Sequence, residues 1–465
     1  MLAPAVVRAL AAVVGPAWCR TDQASLDACA ADALGIPHQP EAVVAPANTA
    51  EVAAVVRACA SAGVPMVVRG AGTGYTGGAV PVAGGVVISM ERFTRIVEID
   101  PLNLVAVVEP QVITGELQRE VEARGLFYPP DPASLDRSSI GGNVAECAGG
   151  PRAFKYGTTK RYVLGLEAVL PTGEIIRTGS KAVKNVVGFD LTQLLVGSEG
   201  MLAIITQVIL RLIPRPPARS VLLAAFDGMR PAVDAVTALI EARVVPAAIE
   251  IVDEASLEAL RAHTASPYIP AAAAAVVIVE VDGAPESVAA EAATVAAACR
   301  SRGATAVTQA ATDTEAEALW SLRRELSYAL RVTGLVKINQ DVVVPRGRVP
   351  ELMETVAALR AELGLAIACF GHAGDGNIHV NVMIPPGDER AREASREAER
   401  RLFERVVALE GSISGEHGIG FTKSRYLSLE LDEAQIALLR RLKAAFDPAG
   451  LLNPGKMFPE SQPGR

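Results

Sequence analysis

The sequence predicts an α+β protein of about three domain-sized units. Three observations carry this. The chain has 465 residues, half of them hydrophobic, enough to fill large cores. Short β-branched runs at 43–46, 64–69, 86–90, 95–100 and 104–109 crowd the first half between glycine-rich loops. Through 218–370 glycine is sparse, and strand-like and helix-like segments alternate.

Taken in order, residues 1–40 read as a helical lead-in. Residues 1–14 are apolar, but Arg8 sits inside the run and Pro16 closes it, which suits a short helix rather than a signal peptide. Thr49 is the expected cap of a helix over 50–62, with Val52, Val55, Val56 and Cys59 on one face and Gly63 ending it. The strand at 64–69 runs into Gly70-Ala71-Gly72-Thr73-Gly74-Tyr75-Thr76-Gly77-Gly78. Gly72, Gly74 and Gly77 match the spacing of a dinucleotide fingerprint, which requires a helix to follow. Pro81, Gly84, Gly85 and β-branched residues follow instead, so a Rossmann domain is excluded. The free N–H groups of such a loop can still cradle phosphates. A helix at 114–124 and the rigid Tyr128-Pro129-Pro130-Asp131-Pro132 precede a second glycine-rich stretch, 138–150, holding a short helical piece. Strands are expected at 164–170 and 201–212, either side of Gly197-Ser198-Glu199-Gly200. The second half offers strands at 221–226 and 275–281 and helices at 231–242, 287–302 and 315–331.

Composition excludes several classes. The net charge of −8 leaves no basic footprint for nucleic acid. The six cysteines are scattered and form no C-x-x-C pair. This argues against an iron–sulfur cluster, a zinc knuckle or a disulfide framework, and for single buried thiols. No apolar run is long enough to span a bilayer.

The chemistry concentrates late in the chain. Of five histidines, His372, His379 and His417 fall within 369–381 and 414–418, among tight glycine turns and acidic residues. Such a cluster suits a metal site with a general base beside it. Asp375 is better placed to shape the turn or orient a histidine than to ligate. In the 315–331 helix, Leu319, Arg323, Leu326, Ser327 and Leu330 share one stripe. Arg323 thus lies on the apolar side, where an unpaired cation is costly. Either a bound carboxylate satisfies it, or it is a snorkelling arginine or a structural salt bridge. Lys337 lies in a strand-like run, where a lone lysine is usually exposed.

Residues 69–78, Pro130-Asp131, 138–143, Gly149-Gly150, Gly157 and 197–200 resemble the flavin domain of the vanillyl-alcohol-oxidase-like, PCMH-type FAD enzymes. The resemblance implies that both glycine loops hold the FAD pyrophosphate. Thr73 stands where many relatives carry a flavin-linking histidine, so non-covalent FAD is expected. With 371–381, 414–418 and 446–456 added, the chain resembles the FAD-linked D-2-hydroxyacid dehydrogenases, among them D-lactate and D-2-hydroxyglutarate dehydrogenases and the flavoprotein subunit of glycolate oxidase.

The resemblance implies a lead-in over 1–40, an FAD domain over 41–217, an α+β cap over 218–410, and a segment at 411–465 completing the active site. His372, His379 and Glu416 would bind a divalent metal, zinc first, and His417 would be the base. Arg323, Ser327, Lys337 and Asn381 would hold substrate. Arg69, Gly70, Ala71, Gly72, Thr73, Gly74, Thr76, Gly77, Gly78, Pro130, Asp131, Ser138, Gly141, Gly142, Asn143, Gly149, Gly150, Gly157, Glu199, Gly200, Ile204 and Asn453 would line the FAD.

The implied reaction is oxidation of a D-2-hydroxy acid to the 2-oxo acid. Electrons would pass to a quinone, a carrier flavoprotein or a partner subunit. A homodimer or partner subunits are expected, in the cytoplasm or attached peripherally to the inner membrane. The competing readings are an electron-transfer subunit of a glycolate-oxidase-like complex and a flavin alcohol oxidase.

Overall fold

The computed structural model describes residues 2–459. The chain forms two compact units. The first takes the N-terminal residues to Gly149, Thr158–Arg215 and the segment from Glu416 onward. The second takes Pro216–Gly415 together with the short piece Gly150–Gly157.

In the first unit the lead-in expected over 1–40 is not a body of its own. Leu10 and Val14 of helix Pro4–Val14 enter the same core as Val52, Val56, Met66 and Ile88. Helix Thr49–Ser61 is capped by Asn48 rather than Thr49: Asn48 Oδ1 accepts from Glu51 N at 3.0 Å. Thr49 Oγ1 is spent on Glu167 Oε1 at 2.6 Å. One four-stranded sheet orders Cys19–Arg20, Ala42–Val44, Val86–Ser89 and Met66–Arg69, its last two pairings parallel. A five-stranded antiparallel sheet orders Ile96–Asp100, Val105–Val108, Ile204–Arg211, Val163–Val169 and Ile175–Gly179. No Rossmann helix follows Gly77: after a turn the chain enters Val86–Ser89.

The second unit is built on one antiparallel sheet of strands β1 (Ala218–Phe226), β2 (Ala248–Asp253), β3 (Ala275–Gly283), β4 (Ala306–Gln309), β5 (Val336–Val343), β6 (Ala366–His372) and β7 (Asn377–Ile384). Their order is β4-β1-β3-β2-β6-β7-β5. Part of one face carries Val221, Leu223, Val276, Ile278 and Phe370 into a core with Leu319, Leu326 and Leu330 of helix Asp313–Arg331. The boundary expected at 411 falls at Glu416. Val343 and Ser412 exchange backbone bonds of 3.1 and 2.8 Å, and Gly415 N donates to Asp341 Oδ2 at 3.0 Å, which ties 412–415 to β5.

All six cysteines are free. Cys59, Cys299 and Cys369 are buried; Cys19, Cys29 and Cys147 are only partly so, which narrows the expectation of buried thiols. None of the described helices is long and apolar enough to cross a membrane.

Candidate active site

Side chains alternate across a strand, and directly paired residues share a face. The register therefore dictates which residues meet in the second unit. Glu250 pairs with His372, His372 with Asn377, Phe370 with His379, His379 with Asp341, and Asn381 with Asn339. Counting by two, β3 adds Glu280 and Asp282, and β5 adds Lys337. A polar row thus crosses the face that elsewhere carries the apolar core, and most of it is buried.

His372 and His379 meet edge to face at 5.4 Å between ring centroids. A carboxylate faces Nδ1 of each: Glu250 Oε1 is hydrogen-bonded to His372, and Asp341 Oδ1 lies 3.6 Å from His379. The hydrogen bond engages His372 Nδ1, the arrangement by which a carboxylate orients a metal-binding imidazole, whereas Asp341 is near His379 without bonding it. The donor set fits a divalent cation. Glu250 and Asp341 were not singled out in the sequence. Their signal was a lone carboxylate inside an apolar or β-branched run, at 246–252 and 341–344.

Arg323 is buried and its Nε donates to Glu250 Oε2, with the guanidinium 4.7 Å over the Phe370 ring. The salt-bridge alternative therefore accounts for its place on the apolar stripe. Burial alone would raise the Glu250 carboxyl, but the Arg323 and His372 charges outweigh it and hold Glu250 below the usual range. Lys337 is not an exposed strand lysine. Its Nζ donates to Ser327 Oγ at 2.7 Å, and burial, with Arg331 and Arg323 near, brings it down to about 8. Asn381 Nδ2 donates to Ala368 O and His379 O, and its Oδ1 accepts from Asn339 Nδ2 at 2.7 Å. Its amide knits β6, β7 and β5 together.

The piece Gly150–Gly157 belongs to this unit. Phe154 lies 2.8 Å from where a Cβ on Gly374 would sit, so only glycine lets it seat on the β6–β7 turn. Lys155 and Tyr156 bind Asp282 of β3.

In the first unit, residues 70–78 leave strand Met66–Arg69 as an irregular loop, with positive φ at Gly72 and Gly77. Ala71 N and Gly142 N both point at Ser139 Oγ, which caps the short helix Ile140–Glu146 and links the two glycine stretches. A Cβ on Gly70 would stand 2.5 Å from that oxygen. Arg69 Nη1 and Gln111 Oε1 beside this loop are buried with no partner among the described residues. An unmet guanidinium nitrogen at a glycine loop fits a phosphate-bearing cofactor. Ile204 and Pro130 are buried, Gly141 packs on Pro110, and Gly200 has positive φ.

Several expected flavin residues serve the loops themselves. Ser138 and Asn143 close on Thr114, with Asn143 Nδ2 donating to Thr114 Oγ1 at 2.6 Å. The Glu199 carboxylate accepts from Ile419 N at 2.8 Å and Gly420 N at 2.7 Å, so it clamps the loop after His417. Asn453 Nδ2 bridges Gly78 O and Glu199 O, and Lys456 Nζ donates to the carbonyls of Gly77, Gly78 and Val80. Burial brings Lys456 down to about 8. Glu416 lies against Gly149, where a Cβ would be 2.9 Å from its Oε2, and His417 follows it with Nε2 4.0 Å from Glu416 Oε1.

Residues 215–457 match the family model "FAD linked oxidases, C-terminal domain", and residues 40–179 match "FAD binding domain". The chain is 42% identical over 419 residues to glycolate oxidase subunit GlcD of Bacillus subtilis, covering 90% of this chain and 89% of that one. It is 36% identical to a D-lactate dehydrogenase of Archaeoglobus fulgidus, covering 89% and 90%, and 31% identical to D-2-hydroxyglutarate dehydrogenase of Stutzerimonas stutzeri, covering 98% and 100%. In fold it is similar to p-cresol methylhydroxylase (TM-score 0.79, 18% identity, 97% and 96% covered) and to 4-ethylphenol oxidase of Gulosibacter chungangensis (TM-score 0.79, 20% identity, 98% and 97% covered). The α+β, PCMH-type architecture expected from the glycine loops is therefore present, and the chain belongs to the family of FAD-linked oxidases and dehydrogenases.

Proposed function

We propose that this enzyme oxidises a D-2-hydroxy acid of the glycolate, D-lactate or D-2-hydroxyglutarate class to the 2-oxo acid. The observation that carries the reading is the buried pair His372 and His379, ring to ring at 5.4 Å, with Glu250 hydrogen-bonded to His372 and Asp341 3.6 Å from His379. The names of three relatives supply the substrate class. His372, His379 and Glu416 would hold a divalent cation, zinc first. Glu416 enters the set through the chain: it directly follows Gly415, whose N–H is held by Asp341.

Bound FAD would accept the hydride, and a bound cation would acidify the substrate hydroxyl. The protein's own residues do the rest. Lys337, set on Ser327 with Arg331 and Arg323 near, holds the substrate carboxylate. Glu250 fixes the His372 tautomer and keeps Arg323 in place. An imidazole nitrogen of His417 takes the hydroxyl proton as the α C–H bond breaks. The products are a 2-oxo acid, reduced flavin and a proton on the base. The full histidine and glutamate set favours catalysis over a purely electron-carrying subunit. The GlcD relative is named as a subunit of glycolate oxidase, which supports a partner protein as electron acceptor.

An anaerobic screen of D- and L-lactate, glycolate, malate and 2-hydroxyglutarate tests the reading. Bleaching of the flavin by a D-isomer or glycolate is expected. Bleaching by L-isomers alone, or by none of the panel, overturns it.

A further inference from the structure

The glycine loop at 70–78 does more than offer backbone to a cofactor. Tyr75 stacks on the His417 ring, with centroids 5.3 Å apart and 28° between planes. Thr76 Oγ1 donates to His417 O at 2.9 Å, and Thr76 O accepts from Phe421 N at 3.1 Å. Phe421 fills the space beside Gly77, where a Cβ would stand 2.0 Å from its ring. Glu199 holds the amides of Ile419 and Gly420. The backbone from His417 to Phe421 is thus pinned by Thr76 and Glu199. The orientation of the His417 imidazole depends on two side-chain torsions, and the Tyr75 ring lies against that imidazole.

We propose that Tyr75 is a positioning residue for His417, and that the loop expected to hold the cofactor also sets the orientation of the base. The proposal rests on the reading of His417 as the base. Stacking of two aromatic rings adds to the area it buries and favours one ring orientation over others. Misplacing a proton acceptor by about 1 Å can cost up to about a hundredfold in rate. Stacking uses the ring of Tyr75 rather than its hydroxyl, so phenylalanine should serve in its place. A branched aliphatic side chain should not.

The test compares wild type, Tyr75→Phe and Tyr75→Leu as flavin-loaded proteins, with Tyr75→Met replacing the leucine variant should that chain not fold. Two readouts are taken. The first is the anaerobic rate of flavin bleaching against hydroxy acid concentration, after matching flavin content. Tyr75→Leu should lower the limiting rate about 10- to 100-fold with little change in the half-saturating concentration, and Tyr75→Phe should stay within about threefold of wild type. The second is the carbon-bound proton shifts of His417 in histidine-labelled protein, assigned with His417→Gln. The ring-current shift from Tyr75 should vanish in Tyr75→Leu and persist in Tyr75→Phe.

Unchanged His417 shifts in Tyr75→Leu overturn the proposal. So does an equal loss of rate in both variants, which would assign the effect to the hydroxyl. If no hydroxy acid bleaches wild-type flavin, the catalytic reading falls, and the shifts alone decide whether Tyr75 positions His417.

Discussion

Glu250 is where a single residue decides most. Its two oxygens serve two partners, His372 and Arg323, at the buried centre of the sheet. Glu250→Gln removes the charge that orients one and neutralises the other. The expected result is a 10- to 100-fold loss of metal affinity, roughly the cost of deleting such a carboxylate, read from the metal content of protein dialysed at fixed free zinc. A cation left unpaired in the core costs on the order of 3–5 kcal/mol, so the urea midpoint should also fall. Metal content equal to wild type would remove Glu250 from the site. Lys337 carries a pH prediction. Its folded pKa of about 8 lies below the ordinary lysine value, because burial and neighbouring cations disfavour the charged form. Binding a carboxylate needs that charge. KM for the hydroxy acid should therefore be flat below pH 8 and rise as pH climbs through it, while Lys337→Met should show a raised, pH-independent KM. A pH-flat wild-type KM would assign carboxylate binding elsewhere.

The β6–β7 hairpin is the element that presents both histidines. Its turn runs from His372 to Asn377 in a conformation that needs glycine: Gly376 has φ +88°, and a Cβ there would meet Val344 O at 2.0 Å. Gly376→Ala should destabilise the protein by about 2–3 kcal/mol in urea unfolding and lower metal occupancy in the folded fraction. Full stability would show that the turn has slack the packing does not suggest. Phe154 seats on the same turn through Gly374. The flavin-domain sequence thus lends a short piece to the sheet that carries the histidines, the reason Gly150–Gly157 clusters with the second unit.

At the scale of the whole molecule, the expected dependence is on two separable groups. The glycine loops and their clamps Glu199, Asn453 and Lys456 belong to the first unit, and His372 and His379 to the second. Chelation should therefore abolish turnover while the protein stays yellow, and added zinc should restore it. Turnover that survives complete metal removal would overturn the metal assignment and leave the flavin assignment standing.

Much was legible in the sequence because it is local. Glycine spacing and the missing helix after Gly77 excluded a Rossmann domain. The stretch 371–381 announced its histidines by density, and Arg323 its burial by helical periodicity. These follow from short-range sterics and from side-chain patterns along one element. What only the tertiary structure decided is pairing across long sequence separations. Glu250 meets His372 because β2 lies beside β6, 122 residues on. Asp341 meets His379 because β5 is the neighbour of β7. Glu199 and Thr76 reach the His417 loop across 220 and 341 residues. An antiparallel sheet places strands side by side without regard to their order in the chain, and no periodicity in the sequence encodes that order. The residues that would perform the chemistry were visible from the sequence, whereas the residues that hold them in place became visible only in the fold.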